Sequence, residues 1–348
     1  MPTINMLSSA TKVKGQGVSS AYIEQVNLVT EGLDDYEVKI NSFRSCDINH
    51  YHTIDHIPVS KNGGVNVAYV HFIPETIDDS LKFPPIVKGI FYKYIIWFYK
   101  SVDQLVVVNP YFIDILTNKY KIDRSKITYI PNYVSEENFY IQDESIIIKT
   151  REKYNISSKS FVVLGVGQVQ SRKGILDFVQ VAEKLPQVQF VWAGGFSFGA
   201  ITDGYKELKK VIENPPSNVK FIGIVEREEM NDIYNMADVM FLPSFNELFP
   251  MAILESLALK IPVLLRDLDI YEDILFDYYL KGNNISDFVD IITKLQPKDL
   301  EYEKWCENSW KCHEFYSREY VLNMWKQFYD NIYVERKKIK FRSRLNEK

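Results

Sequence analysis

The chain has 348 residues, 46% of them apolar and 25% charged, with a formal net charge of −5. That length accommodates two domains of ordinary size, and the net negative charge excludes the broad basic field of a nucleic-acid binder, so no nucleic-acid partner is expected. Cys46, Cys306 and Cys312 form no CxxC pair, which argues against a disulfide framework or zinc site, and there is neither a secretory signal pattern nor a run of about 18 apolar residues to span a membrane.

Residues 1–145 read as a first domain. Gly15 and Gly17 sit in a loop that leads into a helical pattern at Ala21, Tyr22, Val26, Leu28 and Val29, and such glycines let backbone approach a ligand. Four of the five histidines are His50, His52, His56 and His71. The His50/His52 alternation places both on one strand face, as in a metal pair, but no third ligand follows at a suitable spacing and no metal site is expected. His71 ends the apolar run 65–70, and doubly wound sheets put their ligands at strand ends of this kind.

The segment 86–100 is rich in aromatic and basic residues. At about 100° per residue, Ile90, Phe91, Tyr94, Ile95, Trp97 and Phe98 share one broad face. Lys88, Lys93 and Lys100 fall on the other, with Tyr92 and Tyr99 between them. A basic amphipathic helix of this kind lies in a membrane interface or covers a sheet, and the pattern is compatible with both. The apolar runs 104–108 and 126–130, bounded by Asn-Pro and Pro-Asn, are buried strands.

Residues 146–319 read as a second domain. Strands are expected at 161–166, 188–193, 219–222, 239–242 and 262–265, separated by helical patterns such as Ile175, Phe178, Ala182 and Leu185. This rhythm means βαβ units and a parallel sheet, a Rossmann-like domain. The loop after the first of these strands has Gly165 and Gly167, but Gln170 stands where a dinucleotide fingerprint needs its third glycine. It delivers Arg172 and Lys173 instead, a guanidinium and an ammonium suited to a diphosphate. The 239–242 strand breaks at Pro243, Glu247 lies in the turn, and a helix starts near Pro250 as its first residue. Glu255 follows inside that helix. Two carboxylates beside the free N–H groups of a helix start suggest a polyol phosphate. The tail 335–348 holds seven basic and two acidic residues, either a solvated end or a contact for an anionic membrane.

Gly167, Arg172-Lys173-Gly174, Val191–Gly195, Val219–Gly223, Ala237-Asp238, Pro243-Ser244, Glu247, Glu255 and Pro262-Val263 occur in an order and spacing that resemble the nucleotide-sugar half of glycosyltransferase family 4, over about residues 105–275. The resemblance implies an α/β GT-B fold, two Rossmann-like domains with parallel sheets facing an interdomain cleft, and a C-terminal helix near 320–348 packing back on the first domain. It implies a retaining transfer with a UDP-sugar as co-substrate and neither cofactor nor metal. Asp267-Leu-Asp269, which mimics a metal-binding DxD, is then an ordinary loop. Glu247 would contact hydroxyls of the donor sugar and Glu255 the ribose. Lys173 and Arg172 would hold the diphosphate, helped by Gly17 and by the turn Phe249-Pro250-Met251, while Gly223 and Ile224 meet the base and His71 lies beside the sugar. Two positions depart from the pattern: Gln168 replaces a frequent arginine, and Leu248-Phe249-Pro250 replaces a glycine-rich turn.

Within that family, Val70–Glu75, Gln168–Lys173 and Asn246–Met251 resemble the diglycosyl-diacylglycerol synthases. This implies transfer of galactose or glucose to monoglucosyl-diacylglycerol, making an α-linked glycolipid that anchors lipoteichoic acid. The enzyme would work at the cytoplasmic face of the cell membrane. Its partners would be a nucleotide-sugar donor, a glycolipid acceptor and an anionic membrane surface, met through Lys88, Phe91, Lys93, Tyr94, Trp97, Phe98 and Lys100. The alternatives are a polyprenyl-linked oligosaccharide as acceptor, or a catalytically silent GT-B subunit.

Overall fold

The computed structural model describes residues 1–10, 17–57, 64–77, 84–197, 199 and 202–346, with side chains as far as 338. The first sheet contains β1 (Thr3–Leu7), β2 (Glu37–Ile40), β3 (Ile48–Tyr51), β4 (Val65–Val70), β5 (Gln104–Val107) and β6 (Ile127–Tyr129), in the order β2-β1-β3-β4-β5-β6. The second contains β7 (Val162–Val166), β8 (Gln189–Ala193), β9 (Val219–Gly223), β10 (Val239–Leu242), β11 (Val263–Arg266) and β12 (Leu280–Gly282), in the order β12-β11-β10-β7-β8-β9. All pairings between these strands are parallel. Strands such as Val239–Leu242 are apolar throughout because helices cover both faces of a parallel sheet; all four residues are buried. The expected strands of the second half lie within one residue of β7 to β11, and the two doubly wound sheets form the GT-B arrangement.

β10 comes three strands after β7 in the chain, yet it pairs directly with it, Val239 opposite Val163 and Met240 opposite Leu164. The strand order reverses there, which brings the loops after β7 and β10 side by side at the C-terminal edge of the sheet. They meet at Gly174, where φ is +70° and a Cβ would stand 2.3 Å from the Pro243 carbonyl oxygen. Only glycine satisfies both conditions.

The C-terminal helix Arg318–Asn346 crosses back to the first sheet. Trp325 and Tyr329 are buried beside His50 and Tyr69, and Tyr36 donates to Asp330 at 2.7 Å. Most of the basic tail lies beyond the described side chains. Gly15 is also outside the described residues, and Gly17, expected within a loop, instead opens the helix Gly17–Gly32.

The aromatic helix Pro85–Ser101 corrects the expected division of its faces. Ile95, Phe98 and Tyr99 are its buried residues, packed with Val70, Leu105 and Val107. Phe98 is 1% exposed and makes no outward surface, so its place in a membrane-contacting set is withdrawn. Tyr99, expected between the faces, donates to the Phe72 carbonyl at 2.7 Å. Burying Phe98 contributes about 2 kcal/mol or more to the fold. The outward side carries Ile86, Val87, Ile90 and Trp97 with Lys93 and Lys100. No helix among the described residues is long and apolar enough to cross a membrane.

Candidate active site

The two sheets present their strand ends to a cavity of about 700 Å³. On the second-domain wall, Lys173 ends the turn Ser171–Lys173 after β7 and reaches Glu247, in the loop after β10, with its ammonium on Oε1. Arg172 lies 3.5 Å from the other carboxylate oxygen and donates to the Asn246 carbonyl at 2.9 Å. Its Nε donates to Gln170, which in turn holds Gln168. Lys173 and Glu247 are both buried. Burial is the largest influence on Glu247 and raises its carboxyl, but Lys173 and Arg172 together hold it below the usual carboxylate range. Burial pulls Lys173 down, and Glu247 only partly restores it against the repulsion of Arg172. Two cations thus share one carboxylate, a site ready to exchange that carboxylate for a more highly charged anion.

The loop that carries Glu247 is tied across the cleft by amide side chains. Asn109 donates to the Leu248 carbonyl at 2.9 Å and to the Ile270 carbonyl at 2.8 Å, and Asn132 donates to the Phe249 carbonyl at 3.0 Å. Asn246 returns a bond to the Glu75 carbonyl at 2.7 Å. The following helix is Met251–Ala258, with Pro250 one position before its expected place, as the N-cap. Glu255 is buried in this helix, accepting from Tyr234 at 2.5 Å and from Arg227 at 3.1 Å. The other arm of Arg227 pairs with Glu24 of the first domain, which is 1% exposed. Burial raises Glu24 above its ordinary value despite Arg227 beside it. Neither Arg227 nor Glu24 was singled out from sequence. The available signal was the position of Arg227 just past the end of β9, where ligands gather in such sheets.

Gly17, His71, Gln168 and Ile224 line the same cavity as Arg172, Lys173 and Glu247, and so do Phe249, Pro250, Met251 and Glu255. Gly223 is not among its lining residues; it bends the backbone there with φ of +77°. Of the aromatic helix only Phe91 reaches the cavity, at an apolar end shared with Phe72, Ile77 and Leu248. Tyr94 donates to the Ile54 carbonyl at 2.5 Å and stacks on Trp97. Lys88 lies over the Tyr92 ring, and Lys93 and Lys100 are exposed.

His50 and His52 do share one face, with ring centroids 4.6 Å apart. Their nitrogens point to different partners, His50 Nδ1 to the Tyr329 hydroxyl at 2.8 Å and His52 Nδ1 to His71 at 3.4 Å. Among the described residues no group of three or more His, Cys, Asp or Glu side chains is arranged to hold a metal. Asp267 pairs with Lys281 at 3.6 Å.

A family model described as glycosyl transferases group 1 matches residues 147–311. The chain is 43% identical to the alpha-galactosylglucosyldiacylglycerol synthase of Streptococcus pneumoniae strain R6, over 94% of this chain and 89% of that protein. It is 28% identical to the processive diacylglycerol alpha-glucosyltransferase of Acholeplasma laidlawii, over 92% of this chain and 95% of that protein. Among solved structures, Anabaena HepE in complex with UDP and glucose superposes with a TM-score of 0.74 at 14% identity, covering 95% of this chain and all of that one.

Proposed function

Because the chain belongs to the group 1 glycosyl transferases, we propose that it moves galactose or glucose from a UDP-sugar to monoglucosyl-diacylglycerol, with retention, to give an α-linked diglycosyl-diacylglycerol. The observation that carries this reading is the convergence of Lys173 and Arg172 on Glu247 in the cavity that His71 lines from the opposite domain. The incoming diphosphate takes the two cations and the N–H groups at the start of helix Met251–Ala258. Glu247 is thereby released to the sugar hydroxyls, and Glu255 serves the ribose. As the bond to the sugar breaks, negative charge grows on the departing diphosphate. Cations already aimed at it stabilise that state, each donor being worth about 10²–10³ in rate. The reaction on this reading needs no metal, and the leaving phosphate takes the acceptor's proton on the same face of the sugar.

The acceptor's glucose enters beside His71, and its acyl chains leave past Phe72, Ile77 and Phe91. Phe91 belongs to the helix whose outward Ile86, Ile90 and Trp97 are exposed, which supports a peripheral site on the inner face of the cell membrane. The names of the two diacylglycerol relatives favour this acceptor over a polyprenyl-linked oligosaccharide, and the intact set of paired charges speaks against a silent subunit. Incubation with a UDP-hexose panel and monoglucosyl-diacylglycerol, read by mass spectrometry, tests the reading. A disaccharide lipid is expected with one hexose donor, and its absence with every donor would refute the assignment. Removal of residues 336–348 is expected to weaken binding to anionic vesicles and not to neutral ones, with a smaller loss at high salt.

A further inference from the structure

A string of imidazoles runs inward from the cavity wall. His71 lines the cavity immediately after β4. Its Nε2 lies 3.4 Å from Nδ1 of His52, a long hydrogen bond, and the two rings stack with centroids 5.6 Å apart. His52 follows β3 and is 1% exposed. His50 at the end of β3, Tyr69 of β4 and Tyr22 of the helix Gly17–Gly32 surround it, with ring centroids 4.6, 5.5 and 4.9 Å away. Its Nε2 is buried and has no hydrogen-bond partner among the described residues. Burial holds all three imidazoles in the neutral form, lowering His50 and His71 to about 3 and His52 well below its usual value.

Each neutral imidazole carries one proton, and the His52–His71 bond uses one of the two. If His71 were the donor, the proton of His52 would sit on Nε2, where the surrounding rings leave an N–H without an acceptor. Stranded buried N–H groups are rarer than stranded acceptors. We infer that His52 is a positioning residue that donates from Nδ1 to Nε2 of His71 and so fixes the His71 proton on Nδ1. With Nε2 committed, Nδ1 is the nitrogen His71 has left for a ligand, and it is a hydrogen-bond donor. His71 then holds an oxygen of the substrate, a sugar hydroxyl or phosphate oxygen, and does not act as a base. This assignment rests on reading the cavity as a sugar-transfer site.

The test replaces His52 by Asn, whose amide nitrogen can donate from near the Nδ1 position, and by Phe, a ring without a donor. His52→Phe is expected to lower kcat about tenfold or more, the usual scale for losing a partner that orients a functional imidazole, with donor KM within about twofold. His52→Asn is expected to recover most of that loss. In parallel, the protein is labelled with ¹⁵N-histidine and the His71 signals are assigned by their absence in His71→Gln. They are expected to show a bare Nε2 and a protonated Nδ1. A protonated Nε2 on His71, or a His52→Asn enzyme no faster than His52→Phe, would overturn the proposal. The tautomer reading needs no turnover, so it decides the role of His52 even if the wild-type protein transfers no sugar or His52→Phe does not fold.

Discussion

The two walls of the cavity are built from opposite kinds of side chain. On the second domain, the buried Lys173 and Glu247 and the half-buried Arg172 are charged and closed on one another, and Arg227 joins Glu255 to a carboxylate of the facing domain. On the first domain, His71 and His52 are buried and neutral, and the adjoining surface is aromatic and aliphatic. On the proposed function, charge is thus concentrated where the anion would leave, and excluded where the hydroxyl and the lipid would arrive. Fixed charges stabilise a leaving diphosphate strongly only when water is kept away, and an apolar wall opposite them would serve that end.

The sharpest way to break this contrast is to neutralise the charged wall. Lys173→Ala or Glu247→Ala should each cut turnover about a hundredfold or more, measured by steady-state assay; near-normal rates would remove these residues from the chemistry. Glu247→Ala also leaves the buried Lys173 without its carboxylate and should destabilise the fold by about 3 kcal/mol, whereas Lys173→Ala leaves Glu247 paired with Arg172 and should cost less. The double variant Lys173→Met/Glu247→Met should regain part of the stability lost in Glu247→Ala in a denaturant melt, because only the partly exposed Arg172 is then left without the carboxylate, and it should not regain activity.

A smaller loss is expected from Arg227→Met, which leaves Glu24 and Glu255 without their shared cation. Part of that side chain reaches solvent, so the cost should be about 2 kcal/mol, with weaker UDP protection in a thermal melt.

The neutral wall predicts a pH dependence of stability. Imidazoles whose folded values are depressed favour the native state above the ordinary value of 6.5, and that contribution is lost as pH falls from 6.5 toward the depressed values near 3. Unfolding free energy should therefore fall with acidification across that window. His52→Asn should reduce the slope by about one proton; an unchanged slope would mean that His52 titrates normally. The mildest effect belongs to the outer surface. Ile90→Ser or Trp97→Ser should weaken vesicle binding a few-fold with little change at high salt, as expected for apolar contact.

The charged wall was legible in the sequence because its parts follow strands at once. Arg172 and Lys173 lie seven residues or fewer past β7, and Glu247 lies five past β10, so order along the chain became proximity in space. The tie between Arg227 and Glu24 joins residues 203 positions apart, and His50 meets Tyr329 across 279; no local pattern marks such pairs. The aromatic helix failed differently. Its large apolar residues occur on nearly every side, so helical periodicity showed amphipathic character without fixing which sector faces the sheet. Packing against Val70 and Val107 selected Ile95, Phe98 and Tyr99, and left Ile86, Ile90 and Trp97 outside.

The asparagine that holds Leu248 has an effect beyond anchoring a loop. A trans peptide is a rigid plate with its C=O and N–H on opposite edges. By gripping the Leu248 oxygen, Asn109 also fixes the heading of the Phe249 N–H, which must point the other way. The first domain therefore acts as a compass for an amide of the second, setting its bearing without approaching the anion that amide would meet. Changes in the contact between the halves would then be read out as altered nucleotide affinity, even where every nucleotide-facing side chain is intact.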